Sequence, residues 1–191
     1  MINKNNKKSA PPSSAGFTII ETLTAVLVLS IAIAGSITLA SRGLTAITTA
    51  RQEVSATYLA QDAMEYIRAT RDSNCLATNN GSGCPQNVWL GNMGTLCSAA
   101  TGCTIDTLAG VVSACTNACS VLNYDSTNTV FTYASANGGS IVPSAFTRTV
   151  YIQNPVGGNQ DEASTTIVVS WPGGGDIVRS VRLHEDLLNW Q

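Results

Sequence analysis

The chain has 191 residues and a formal net charge of −2. Fewer than two hundred residues suit one domain, and not an enzyme domain in addition to a long stalk. Every lysine lies within the first eight residues, so the rest of the chain combines seven arginines with twelve acids, and this negative balance argues against capture of nucleic acid by a basic patch.

The first sixteen residues form a basic leader. They contain Lys4, Lys7 and Lys8, no acid, and a Pro11-Pro12 pair that does not hold a helix. Because positive charge beside a membrane segment tends to stay inside the cell, we expect this end in the cytoplasm and the rest of the chain outside.

A run without any charged residue follows the leader, from Thr22 to Ser41. It is long enough to span a bilayer, for which about 20 residues are needed. A secretory signal has a shorter apolar region that ends at a small-x-small cleavage site. Ala32-Ile33-Ala34 is a weak match to such a site and lies inside the run. We therefore expect cleavage before the run, which leaves the helix on the mature protein.

A short motif joins the leader to the apolar run and reads Gly16-Phe17-Thr18-Ile19-Ile20-Glu21. Together with the helix it closely resembles the class III signal of type IV pilins and type II secretion pseudopilins. In that family a prepilin peptidase cleaves after the glycine and methylates the new amino terminus. The resemblance therefore implies cleavage between Gly16 and Phe17 and N-methylation of Phe17. The alternative is an ordinary signal anchor with a chance glutamate.

Glu21 is the chemically informative residue of the motif. A carboxylate at the centre of a membrane helix costs about 2.5 to 3.5 kcal/mol on insertion scales, so intramembrane acids are functional candidates. After cleavage, Phe17 carries a free cationic amine one helical turn before Glu21. Pairing of Glu21 with the amine of a neighbouring subunit neutralises both groups and sets the stagger between helices. We therefore predict that Glu21 and Phe17 determine assembly.

The helical pattern continues past the apolar run, and we predict one helix from Phe17 to about Arg71. Residues 17–41 are its transmembrane or filament-core half, and residues 42–72 are its amphipathic half. Two apolar faces are visible in the second half: Leu44, Ile47, Val54 and Tyr58 on one, and Leu59, Ala63, Tyr66 and Ile67 on the other.

Residues 73–128 are predicted to form a polar excursion that contains every cysteine: Cys75, Cys84, Cys97, Cys103, Cys115 and Cys119. Six cysteines outside the membrane fit up to three disulfides, with fifteen possible connectivities. Their spacing lacks the paired knuckles of a zinc site and the thioredoxin-type redox motif. We expect this segment to be held by disulfides more than by packing. Asn80-Gly81-Ser82 matches a glycosylation sequon, although a turn is the favoured interpretation.

From residue 129 the pattern changes to a period of two, which predicts strands at residues 129–134, 146–153, 165–171 and 176–183. Turn residues separate them, and the last pair is predicted to form a hairpin. Residues 129–191 should therefore form an antiparallel meander of about four strands over the second half of the helix. Arg148 breaks the apolar alternation and is expected near an edge. This C-terminal pattern also resembles PilV-like minor pilins.

No residue pattern indicates an enzyme. His184 stands beside Glu185 and Asp186 without further ligands or a nucleophile, so a solvated turn after the last strand is predicted for it. There is no phosphate-binding glycine motif, and we expect no cofactor and no metal. The absence of lysine after residue 8 also excludes pili whose subunits are joined through a lysine isopeptide bond.

The resemblance as a whole implies an α+β protein of the type IV pilin-like fold and a structural role as a subunit of a type IV pilus, in particular a minor pilin. Its implied partners are other pilin subunits, the prepilin peptidase and the assembly machinery of the cytoplasmic membrane. The implied location is the cytoplasmic membrane before assembly, with the head outside, and the extracellular pilus afterwards. A type II secretion pseudopilin is one alternative. A membrane-anchored binding module or adhesin that does not polymerise is another.

Overall fold

The computed structural model describes residues 16–78, 84–86, 88–135 and 140–189. The predicted leader up to residue 15 and the sequon at Asn80 lie outside the described residues. The chain divides into two compact units, one up to Ile47 and one from Thr48 onward. Each unit is described by itself below.

Helix α1 runs from Ile19 to Thr78 and has 60 residues. The prediction of one continuous helix is confirmed, although α1 begins two residues later and ends seven residues later than predicted. Its start follows from capping by Thr18, described below. The last turns of α1 are anchored by Cys75, which is 2% exposed and forms a disulfide with Cys84. This anchoring explains why the helix continues beyond Arg71.

A sheet and a short helix follow α1. In chain order they are α2 (Met93–Leu96), β1 (Cys103–Asp106), β2 (Val111–Ala114), β3 (Val121–Asp125), β4 (Val130–Thr132), β5 (Ile141–Gln153), β6 (Glu162–Pro172) and β7 (Val178–Leu188). All pairings between these strands are antiparallel. The α+β layout predicted from the sequence is thus confirmed.

Strand β5 is the centre of the sheet. Strand β6 pairs with one edge of β5, and β7 pairs with β6. Strands β1 and β3 both pair with the other edge of β5. Beyond them, β2 pairs with β1 and β4 pairs with β3. The sheet therefore has seven strands among the described residues, more than the predicted four. Strand β3 separates β4 from β5, so the predicted simple meander is wrong at this point. The predicted hairpin of β6 and β7 is confirmed, in register from Glu162 opposite Leu188 to Pro172 opposite Val178.

The core lies between the second half of α1 and one face of the sheet. From the helix, Leu59, Ala63 and Ile67 are buried, and from β5 and β6 the inward positions include Val150 and Ile167. Burial alternates along β6 with period two, as expected for a strand with one face on a core. Of the two helix faces seen in the sequence, the one that contains Leu59 packs on the sheet.

The cysteine-rich segment packs more tightly than predicted. Trp89, Met93, Ile105 and Leu122 are at most 1% exposed and belong to the main core. The indole N–H of Trp89 donates to the carbonyl of Gln160 at 3.2 Å. Disulfides close short loops in this segment, and its few large apolar side chains point into the core. The segment also forms three strands, in spite of its polar composition.

Arg148 corrects a second expectation. It lies in the central strand β5, and its side chain is 1% exposed. Its guanidinium donates to the carbonyl of Leu59 at 2.8 Å, to the carboxylate of Asp62 at 2.9 Å and to the carbonyl of Ile105 at 2.5 Å. A planar fork of donors can stay buried when acceptors surround it. The break in the apolar pattern therefore marks a buried hydrogen-bond clamp and not an edge.

Candidate functional site

The predicted processing site lies just before α1. Gly16, Phe17 and Thr18 are outside the helix and exposed, with 79% of the Phe17 surface accessible. No described residue covers the Gly16–Phe17 peptide bond in a way that buries either residue. A bond in exposed chain outside regular secondary structure is open to a peptidase, so the geometry is compatible with the predicted cleavage.

Thr18 caps the start of the helix. Its carbonyl accepts hydrogen bonds from the N–H of Glu21 at 3.0 Å and of Thr22 at 3.2 Å, and its hydroxyl oxygen accepts from the N–H of Glu21 at 3.4 Å. Residues Thr18 to Glu21 thus have the Thr-x-x-Glu spacing of a capping box. Sequence reasoning missed Thr18, although this spacing was readable. A threonine cap stabilises a helix by about 1 kcal/mol.

Glu21 lies in the first turn of α1 and is exposed. Its carboxylate forms no ion pair with any residue of the described chain. The next charged residue along the chain is Arg42, so the carboxylate is alone in the apolar half of the helix. The positive end of the helix dipole favours an acid here, but by at most about 1 kcal/mol at an exposed site.

Most hydroxyl groups of the apolar half are satisfied within the helix. Five side chains donate to a carbonyl three or four residues earlier at 2.8 to 3.0 Å: Thr22, Thr24, Ser30, Ser36 and Thr38. Such bonds let Ser and Thr lie in an apolar medium without an unpaired donor. The surface of this half is therefore apolar in effect, apart from Glu21.

Every residue from Gly16 to Ile47 is exposed. The large side chains of this unit that are more than half exposed include Leu23, Val26, Leu29, Ile31 and Ile37. The apolar part of α1 reaches a mean hydropathy of 2.3, and by length and composition α1 is able to cross a membrane. An apolar surface of this size fits a membrane or a protein interface.

The six predicted disulfide cysteines form three bonds between sequence neighbours. Each bond closes a short loop: Cys75–Cys84, Cys97–Cys103 and Cys115–Cys119. The sequence left fifteen connectivities open, and only the fold decides among them. The first bond joins the end of α1 to the following loop, and the second joins the end of α2 to the start of β1.

His184 lies inside β7 and not in the predicted turn. Its Nδ1 is 3.0 Å from the hydroxyl of Thr166 on β6, and its Nε2 is 3.5 Å from Asp186. The residue is exposed, because β7 continues to Leu188 and turns this position outward. Within the described part of the chain, no three His, Cys, Asp or Glu side chains are grouped in a way that could hold a metal ion.

Comparisons of the chain with protein-family models, with curated proteins and with solved structures find no match.

Proposed function

We propose that this chain is a membrane-inserted subunit of a type IV pilus that is processed at Gly16 and assembled through α1. One observation carries the proposal. The apolar half of α1 is exposed along its whole length and carries a single charged group, Glu21, in its first turn. In a helix that only anchors a domain, that charge is a cost without a benefit. In a helix that packs beside the helices of neighbouring subunits, the charge can be paired.

The proposed partner of the Glu21 carboxylate is the amine that cleavage creates on Phe17 of a neighbouring subunit. Glu21 lies in the first turn of α1, and Phe17 lies just before that turn. Two neighbouring helices that are shifted by about one turn along their axes can therefore bring the carboxylate of one beside the amine of the other. The pair is buried among helices in the filament, where an unpaired charge is costly. Its role is to fix the stagger more than to add stability.

The head is proposed to lie outside the cytoplasmic membrane before assembly and on the extracellular filament afterwards. Three disulfides in the head support an oxidising compartment. The prepilin peptidase, other pilin subunits and the membrane assembly machinery are the proposed partners. The proposal of a minor pilin rests on the cysteine-rich segment and the PilV-like C-terminal pattern of the sequence.

Mass spectrometry of the mature N-terminus tests the processing step. We expect a chain that begins with N-methylated Phe17. A chain that begins at Met1 or Ile2 would contradict the proposal and favour a membrane-anchored binding module that does not polymerise. Surface labelling of filaments separates the other alternative, because a type II secretion pseudopilus stays below the cell surface.

Glu21→Gln and Glu21→Ala test the assembly step. Both remove the charge, and the first keeps the size of the side chain. We expect each to lower incorporation into filaments at least about tenfold, since loss of one partner leaves the neighbouring amine unpaired in an apolar setting. Glu65→Gln is the matched control, because it removes an exposed acid of the same helix. Normal incorporation of both Glu21 variants would contradict the proposed pairing.

A further inference from the structure

The tip of the β6–β7 hairpin, which consists of residues 172–179, exposes two large apolar side chains. Ile177 is 64% exposed and Val178 is 72% exposed. Asp176 and Arg179 are the only charged residues of the hairpin tip and have opposite signs, so the tip has no net charge. We therefore expect a partner of this surface to be recognised through apolar area more than through charge.

The hairpin tip has a fixed shape. The N–H of Gly173 donates to the carbonyl of Ile177 at 2.7 Å and closes the turn. Gly174 and Gly175 have positive φ angles of 93° and 62°, which glycine adopts without steric cost. A turn closed in this way loses little conformational freedom when it binds.

The second half of helix α1 and strand β7 run in the same direction. The guanidinium of Arg68 forms an ion pair with Glu185 on β7. Nearer the start of β7, Val181 pairs with the same residue of β6 as Arg148 does, and Arg148 donates to the carbonyl of Leu59. The step between these two contacts is about 13 Å long both in the helix and in the strand. The helix and the strand therefore advance together.

The hairpin tip lies at the end of the head, the compact unit from Thr48 onward, where α1 enters it. From Val181 back to Ile177 is a further step of about 13 Å toward the start of β7. The same step taken in the helix from Leu59 reaches about residue 50. Leu76, which is 75% exposed, lies near the last turn of α1 at the opposite end of the head. We call these two ends the Thr48 end and the Leu76 end.

Other parts of the sheet add apolar and uncharged surface at the Thr48 end. Strand β5 runs parallel to β7, because both are antiparallel to β6, so the start of β5 lies at this end as well. There Val142 is 49% exposed. The turn that joins β3 to β4, residues 126–129, follows Asp125, which is opposite Ile141 at the start of β5, and contains no charged residue.

The two ends of the head differ in charge. The Leu76 end has an excess of four acids, because Arg68 and Arg71 stand against Glu65, Asp72, Asp161, Glu162, Glu185 and Asp186. The Thr48 end is nearly balanced, because Arg51 and Arg179 stand against Glu53, Asp125 and Asp176. Carboxylates are costly to remove from water, so the Thr48 end is the better suited of the two to an apolar partner.

The uncharged run of α1 ends close to the Thr48 end. Residues 42–47 separate the run from Thr48, a length of about 9 Å in a helix. The polar zone of a bilayer is about 5 to 7 Å thick on each side of its hydrocarbon core. A membrane that holds the run therefore has its surface beside the Thr48 end.

We propose that the hairpin tip contacts the surface of the membrane that holds α1, with Ile177 and Val178 among the lipid headgroups. Apolar side chains bind at that depth according to the area that they bury, and a tip without net charge does not depend on anionic lipid. The contact holds the head against the membrane before assembly and is broken when the subunit enters a filament. This inference rests on the membrane insertion in the proposed function and goes beyond it, because that function gives lipid contact to α1 alone.

Photocrosslinking to lipid tests the contact, with the full chain reconstituted in vesicles of phosphatidylcholine. The photoreactive residue p-benzoylphenylalanine replaces Ile177, and after irradiation mass spectrometry of the tryptic peptide 149–179 should detect the added mass of one lipid. The matched control places the photoreactive residue at Leu76, which is at least as exposed but lies at the opposite end of the head. We expect the lipid adduct from Ile177 to exceed that from Leu76 at least about tenfold, the ratio that 1.4 kcal/mol produces.

A pair of substitutions gives a second test, with the photoreactive residue at the exposed Pro172 of the hairpin tip. Ile177→Ser combined with Val178→Ser removes both apolar side chains, and we expect it to lower the lipid adduct from Pro172 about tenfold. Both side chains are exposed, so the head should still fold. Leu108→Ser is the control, because it removes a side chain that is 64% exposed and lies outside the hairpin tip. It should leave the adduct unchanged.

The results separate this inference from the filament proposal. A lipid adduct from Ile177 that exceeds the adduct from Leu76 supports the inference whether or not Phe17 is processed. Equal adducts from the two positions, or a covalent protein dimer from Ile177 without a lipid adduct, overturn the inference and leave the filament proposal standing. An unchanged adduct in the double serine variant also overturns it.

A probe in the apolar half of α1 checks membrane insertion by itself. The photoreactive residue at Leu29, which is 60% exposed, should form lipid adducts in the same vesicles. Their absence would overturn both the inference and the membrane insertion that the proposed function requires.

Discussion

The guanidinium of Arg148 donates a hydrogen bond to the main-chain carbonyl of Leu59 at 2.8 Å, which ties the central strand β5 to helix α1. The same side chain reaches the carbonyl of Ile105 in β1, so one residue connects the helix to two strands. These contacts fix the rotation of the helix on the sheet. They hold the face of α1 that contains the buried Leu59 against the sheet.

Arg148→Met should therefore destabilise the head. The variant keeps an apolar side chain of similar length but leaves buried carbonyls without their donor, and we expect a loss of about 3 kcal/mol in the free energy of unfolding. Arg148→Lys keeps the charge and loses the fork, so its loss should be smaller. Denaturant unfolding of the full chain in detergent measures both. An unchanged midpoint for Arg148→Met would show that the clamp contributes no stability.

Asp106 should make stability depend on pH. Burial raises the pKa of the Asp106 carboxyl group. Hydrogen bonds to its carboxylate have the larger, opposite effect, so that its pKa lies below the ordinary 3.8. The donors are the N–H groups of Ala109, Tyr133 and Leu108 and the Thr132 hydroxyl. Two of these bonds, from Thr132 and Tyr133, are 2.7 Å long. The ionised carboxylate of Asp106 therefore stabilises the folded state at pH values above the ordinary pKa. This stabilisation is lost as the pH falls through the lowered pKa of the folded state.

Asp106→Asn checks this dependence. We expect it to cost about 1 to 2 kcal/mol at neutral pH, because an amide group cannot accept all four bonds. The difference between wild type and variant should start to shrink as the pH falls below the ordinary pKa of 3.8, where the unfolded carboxylate takes up a proton, and should keep shrinking until the pH passes the lowered pKa of the folded state. Unfolding midpoints from pH 7 to pH 2 measure it. If the unfolding midpoints of wild type and variant differed by the same amount over this whole pH range, the proposed stabilisation by the ionised Asp106 carboxylate would be contradicted.

The three disulfides should differ in their access to reductant. Cys97 and Cys103 are fully buried, whereas Cys119 is partly exposed beside the 8% exposed Cys115. Limited reduction followed by alkylation and mass spectrometry should label Cys115 and Cys119 first and Cys97 and Cys103 last. Labelling in the reverse order would contradict the burial of the second bond.

Loss of a disulfide should also cost stability. The closed loops have sequence separations of 9, 6 and 4 residues, so the loop-entropy model gives about 2 to 3 kcal/mol for each. Replacement of Cys97 and Cys103 together by alanine should cost more than replacement of Cys115 and Cys119, because it also removes two buried sulfur atoms. Unfolding midpoints under non-reducing conditions compare the two double variants.

Gly102 is required by its surroundings as well as by its backbone. Its φ is 69°, and a Cβ added there would lie 2.7 Å from the side chain of Thr149 and 2.9 Å from that of Tyr151. Gly157 has a φ of 57° with no atom near the added Cβ, so it is the matched control. Gly157→Ala should cost about 1 kcal/mol through the backbone alone, and Gly102→Ala should cost about 1 to 3 kcal/mol more. Equal losses would exclude a steric role.

The elements that have strong local patterns were predictable. The long helix, the β6–β7 hairpin and the existence of disulfides follow from periodicity, from glycine-rich turns and from an even number of cysteines. The short strands β1 to β3 were missed because each has only four or five residues in a polar segment, too few for a period to emerge. Their pairing with other strands selects the strand conformation, as with Cys103 opposite Val150 on β5.

The sequence by itself determined the apolar helix, its lone carboxylate at Glu21 and the cysteine content, because each is a property of neighbouring residues. Only the tertiary structure decided that Arg148 is buried, which cysteines pair, and that β3 lies between β4 and β5. These relationships join residues that are far apart in the chain. They depend on strand order and on burial, which periodicity does not encode.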